Sequence, residues 1–262
     1  MMSIQRAKFF GVVKYEFRMQ IRRVSLWITF LCIALFYGVI GKGGLFLFFE
    51  GNPLRLTPLL LTTQWTRNFM FLFPVAFGVL LADRLPRDRR RKVEELLLTL
   101  PITSHNRLIG KYLGSLLATL LPMFLIYLIG IAGLLYGTHN IIVIPYGLLT
   151  FVVIALPGLL FVGAFSIACP VVLWVPLYQL LFVGYWFWGN ILGPRSLIPS
   201  LSTTILTPIG GYMASGFFGD NMQLIEHATP LQGLESILLL LGISVLVLYS
   251  LCKIATWQQE RQ

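Results

Sequence analysis

The residues able to do chemistry are few, and their spacing argues against catalysis. His105, His139 and His227 fall in or beside loops, with no carboxylate at ligand spacing. Cys32, Cys169 and Cys252 sit far apart in apolar segments without CxxC spacing, so they suggest neither a metal site nor a disulfide framework. Gly110-Lys111 looks like the end of a phosphate-binding loop. That loop needs Gly where His105 stands and Ser or Thr where Tyr112 stands, so this chain carries no ATPase motif. Glu94-Glu95 belongs to a polar stretch, which leaves no paired acids at membrane depth. What remains is charge that positions and anchors: 20 Lys and Arg against 10 Asp and Glu, a net charge of +10.

The elements that hold these charges are apolar helices. The chain has 262 residues, 57% hydrophobic and 11% charged, with mean hydropathy +0.81, whereas a soluble domain is about a quarter charged. Residues 112–194 contain no Asp, Glu, Lys or Arg; a span needs about 20 apolar residues, so this stretch holds three. Six spans are expected at 24–41 (reaching toward 49), 61–82, 112–136, 142–167, 171–192 and 236–256, the first an anchor and not a cleaved signal. Ala168-Cys169-Pro170 makes the tight turn between the fourth and fifth.

Basic residues set the orientation. Six lie before the first span, eight from Arg84 to Lys111 and two at the C-terminal end. The positive-inside rule makes that side cytoplasmic, where the charge meets anionic lipid and not nucleic acid. The fold class is then an all-α polytopic membrane protein: one transmembrane domain over 1–262, an interfacial helix, six transmembrane helices and both termini cytoplasmic. Arg67 is expected to snorkel from the outer end of the second span. Trp27 and Trp257 mark the inner boundary, and Trp65, Tyr185, Trp186 and Trp188 the outer one. The extracytoplasmic segment 193–235 holds an apolar stretch at 204–218, broken by Pro208, Gly210 and Gly211, which reads as short or re-entrant helices.

Two polar segments flank the spans. In residues 5–23, Phe10, Val13, Phe17, Ile21 and Val24 recur at helical spacing beside a stripe of Lys14, Arg18 and Arg22. This is the pattern of an amphipathic helix lying on a membrane surface. In the cytoplasmic loop 83–111, Val93, Leu96, Leu97 and Leu100 share one face of a short helix at 93–100, with Glu94, Glu95 and Thr99 elsewhere, and Pro101 ends it. Thr103 or Ser104 caps a new helix that runs straight into the third span. A short helix joined this rigidly to a span can act as a lever.

The stretch Glu95–Lys111 resembles the coupling-helix region of ABC type-2 transporter permeases. The matching residues are Glu95, Leu97, Leu98, Pro101, Ile102, Thr103, Leu108, Gly110 and Lys111. Lys14, Glu16, Arg18, Arg22 and Arg23 look like that family's connecting helix, while Asp88 and the 89–92 basic run stand where the family often carries a Glu and a Gly. The resemblance implies ATP-binding-cassette ATPase subunits docked on Val93, Glu94, Glu95, Leu96, Leu97, Leu98, Leu100 and Pro101. It implies a second copy or a homologous permease as dimer partner, and a multi-pass place in a bacterial-type plasma membrane. ATP and Mg would be bound by the ATPase partner, with no cofactor in this chain. The charge-poor interior suits an amphiphilic exported cargo such as a lipid, peptide or drug-like molecule. An uncoupled transporter or a membrane scaffold is the alternative reading, with an intramembrane enzyme behind it.

Overall fold

The computed structural model describes residues 2–40, 56–84, 86, 104–191, 200–220 and 227–259. Helix α1 (Met2–Ile21) breaks at Arg22-Arg23 before α2 (Val24–Ile40), and the two axes meet at 59°. The break is held locally: the Trp27 indole N–H donates to the Ile21 carbonyl at 2.9 Å, so a chain-end acceptor of α1 is satisfied without continuing the helix.

Helix α3 (Pro58–Ala82) is the central rod, buried on almost every side. Thr57 caps it by accepting from the Leu60 N–H at 3.3 Å, and Pro58 occupies the first turn, where its missing N–H leaves no gap. That pair starts the helix three residues before the expected 61. Helix α4 (Ser104–Thr138) runs 35 residues without interruption. At 1.5 Å per residue it is about 52 Å long, well beyond the roughly 30 Å of a hydrocarbon core.

The next apolar helix is one continuous unit, α5 (Val143–Thr150), a π turn (Phe151–Ala155) and α6 (Leu156–Ala168). Pro157 stands in the first turn of α6, directly after the π turn, so its missing N–H falls where the α ladder is already widened. A 3-10 turn over Cys169–Val171 follows, so α7 starts at Val175 and not at the expected 171. Residues 200–210 then pack back into the bundle. The Pro208 carbonyl seats against Gly158 of α6, Thr207 donates to Asn190 at 3.0 Å, and Ile209 is buried. Helix α8 (Gly211–Phe218) lies between Gly210 and Gly219, both left-handed, against α9 (Pro230–Gln259). The expected short helices in the 193–235 segment are thus represented by α8, and irregular backbone here is covered by protein. Helix α9 begins six residues earlier than expected because Thr229 and Gln232 form a reciprocal capping box, at 3.3 and 2.9 Å.

Among the described residues four helices are long and apolar enough to cross a membrane, at Pro58–Ala82, Asn106–Thr138, Val143–Val171 and Pro230–Ile254, and a fifth if the bent α1–α2 pair is one span. Helices α2 and α7 have 17 residues each, at the lower limit for spanning. The aromatic belt differs from expectation. Tyr185, Trp188, Trp27 and Trp257 are exposed, but Trp65 and Trp186 are core residues. Trp65 fills the space beside Gly130, and the Trp186 indole donates to the Phe71 carbonyl at 2.8 Å.

Candidate functional site

The densest arrangement of buried charge lies where α3 ends and α4 begins. Arg84, just beyond the Asp83 cap of α3, is 1% exposed and paired with Glu16 of α1, which is 3% exposed. Its Nε donates to Ser115 Oγ on α4 at 3.2 Å. Burying an ion pair is tolerated only when geometry and further hydrogen bonds offset desolvation, and here three elements supply them. Arg107 and Lys111 are buried nearby in sequence on the first turns of α4.

Backbone proximity makes this clasp possible. Gly110 and Gly114 stand one turn apart on α4. A Cβ added at Gly114 would meet the Glu16 Cβ at 2.6 Å and the Val13 carbonyl at 2.7 Å, and one at Gly110 would meet Val12 at 2.9 Å. Small residues spaced by four let two apolar helices approach to backbone contact. Helix α1 therefore packs on α4 through Val12, Val13, Glu16 and Phe17. The expected surface-lying helix is corrected in one respect: Glu16 and Gln20 face the protein, while Lys14, Arg18 and Arg22 are exposed and Arg23 is half-buried. Phe10 and Val24 of the expected stripe are exposed, whereas the backbone of Val13 and Phe17 lies against Gly114 of α4.

The residues from Val93 to Pro101, including Glu94, Glu95, Leu96, Leu97, Leu98 and Leu100, lie outside the described residues. Their two attachment points do not: the connecting segment leaves beside Arg84 and returns at Ser104. Sequence reasoning named Glu16 but missed its partners Arg84 and Ser115. The available signal was the Gly110–Gly114 spacing together with a lone acid among the bases of α1.

A second charged pair sits deeper. Arg67 does not snorkel; it is buried and pairs with Asp220, just after α8, at 3.2 Å. Nine residues into α3, it lies about 14 Å along the axis from Pro58. One residue earlier, the Thr66 hydroxyl donates to Thr150 at 2.9 Å and lies 2.8 Å from the Tyr127 hydroxyl, and Tyr127 donates to the Gly147 carbonyl at 2.8 Å. These bonds tie α3, α4 and α5 at one level. Among the described residues no group of three or more His, Cys, Asp or Glu is placed to hold a metal ion. Buried charge and hydroxyls here join helices to one another, which suits transmitted motion.

No curated protein matches the chain. A family model described as ABC-2 family transporter protein matches residues 54–252, from the approach to α3 almost to the end of α9. The match includes the long apolar helices, the segment between Arg84 and Ser104 and the in-folded region around α8. The chain belongs to the ABC-2 family of transporter proteins, as a multi-pass membrane permease.

Proposed function

We propose that this chain is the permease subunit of an ATP-driven exporter, coupled to separate ATP-binding-cassette subunits. In this reading it makes six spans, with α2 and α7 completing the set and both termini cytoplasmic. It pairs with a second copy or a homologous permease in a bacterial-type plasma membrane, and it moves an amphiphilic cargo. ATP and Mg are bound by the partner, which docks on residues 93–101.

The observation that carries the reading is the Glu16–Arg84–Ser115 clasp at the root of that segment. Force applied to the 93–100 helix enters α4 directly at Ser104, because α4 is unbroken from there to Thr138. Through Arg84 and Glu16 the same force reaches α3 and α1. Arg67 and Asp220 extend the connection from α3 to the in-folded outer segment. A push at one end thus has a rigid route to the other.

Gentle purification of the tagged protein from its native membrane, followed by mass spectrometry, tests the partnership. A stoichiometric subunit bearing a phosphate-binding loop is expected. Repeated recovery without one would favour an uncoupled transporter or scaffold. In the assembled complex, Leu97→Ala and Glu95→Ala should abolish ATPase stimulation by cargo while membrane insertion persists; normal stimulation in both would refute docking at residues 93–101.

A further inference from the structure

A cleft of about 350 Å³ opens at the basic end between α2, α3 and α7. Arg23 and Ser25 form one wall, Asp83 and Leu80 the foot of α3, and Val175 and Gln179 the first turns of α7. The two charges are of opposite sign, and the helix ends reinforce them. Asp83 adds to the carbonyl-rich C-terminus of α3, whereas α7 presents its N-terminus, the positive end of a 17-residue helix. The cleft therefore has a positive edge and a negative edge above apolar side chains.

Its surroundings place it at a lipid–water boundary. Trp27 is 43% exposed and Trp174 is 67% exposed beside it, the position amphipathic rings favour at an interface. Along the bundle from there, Ile28, Leu31, Leu177, Leu180 and Leu181 expose aliphatic surface on α2 and α7.

We infer that this cleft binds the headgroup of a zwitterionic glycerophospholipid. The phosphate meets Arg23 and the α7 N-terminus, the ammonium meets Asp83, and the acyl chains lie along α2 and α7. An anionic lipid would set its negative headgroup against Asp83. A soluble phosphate would leave the apolar walls in water. A lipid seated here ties α2 and α7 to the foot of α3, one residue from Arg84. The inference needs only that these helices stand in a bilayer, so it survives or fails separately from the coupling to an ATPase.

The test uses the full chain in mild detergent with an equimolar mixture of phosphatidylethanolamine and phosphatidylglycerol, read by native mass spectrometry. One phosphatidylethanolamine should be retained over phosphatidylglycerol by about fivefold, the size of one interfacial charge contact. Asp83→Asn should erase the preference, and Arg23→Gln should remove retention of both lipids. Ser25→Trp, on an exposed position at the mouth, should block retention without touching either charge, so it carries the test if a charge variant misfolds. Equal retention of the two lipids by the unaltered chain would overturn the inference, as would a Ser25→Trp variant that still holds phosphatidylethanolamine. Full displacement by soluble phosphoethanolamine would overturn the lipid assignment.

Discussion

Breaking the Glu16–Arg84 pair from one side should be far more damaging than removing it whole. Both side chains are almost wholly buried, at 3% and 1% exposure. Glu16→Ala leaves a guanidinium in an apolar interior without its carboxylate, and Arg84→Ala leaves the carboxylate without its cation. Removal of one partner of a buried pair costs about 3–5 kcal/mol, whereas replacing both with apolar residues of similar volume is often neutral or stabilising. Ser115→Ala removes one hydrogen bond to a charged group, about 1.5–3 kcal/mol, and should fall below either single charge variant. The assay is reversible unfolding of the full chain in mixed micelles, titrated with SDS and followed by tryptophan fluorescence. Helices persist in that denatured state, so the midpoint reports tertiary contacts. Glu16→Met/Arg84→Met should lie close to the unaltered protein while each single variant is strongly shifted. Single effects that add in the double variant to within about 0.5 kcal/mol would refute the clasp as a unit.

Three further outcomes are expected. Gly114→Ala should lose about 1–3 kcal/mol in the same titration by forcing α1 off α4, whereas Gly184→Ala on α7, with nothing within 4 Å of an added Cβ, should be neutral or slightly stabilising; equal effects would refute close packing of α1. Asp220→Ala should lose about 3–5 kcal/mol and Arg67→Met/Asp220→Leu should recover most of it; no recovery would mean the pair is not what holds the segment around Asp220 to α3. For topology, Arg90→Cys and Met222→Cys, labelled with an impermeant maleimide in intact cells and in inverted vesicles, should react from opposite sides; same-side labelling would mean that the count of three spans between them is wrong.

The sequence by itself determined the membrane class, because no water-soluble core accounts for a charge-free run from residue 112 to 194. It also determined that a helix begins near residue 104 and continues into a span, and that the 204–218 stretch is too broken to cross. These are local properties, written in composition, capping and proline. Two local signals were present and unread, the Thr57-Pro58 start of α3 and the Thr229/Gln232 box of α9. Tertiary structure alone decided which face of each apolar helix meets protein. In a bilayer the lipid-facing and core-facing sides are both apolar, so periodicity that sorts inside from outside in water is blunted here. Hence Trp65 and Trp186 read as belt residues and proved to be core. The buried pairs lay beyond the sequence for a related reason. Glu16 is 68 residues from Arg84, and Arg67 and Asp220 are joined because the segment 200–220 folds back into the bundle. A charge near a helix end looks the same in sequence whether it faces water or a partner, and only the packing of α1 on Gly110 and Gly114 brings Glu16 to Arg84.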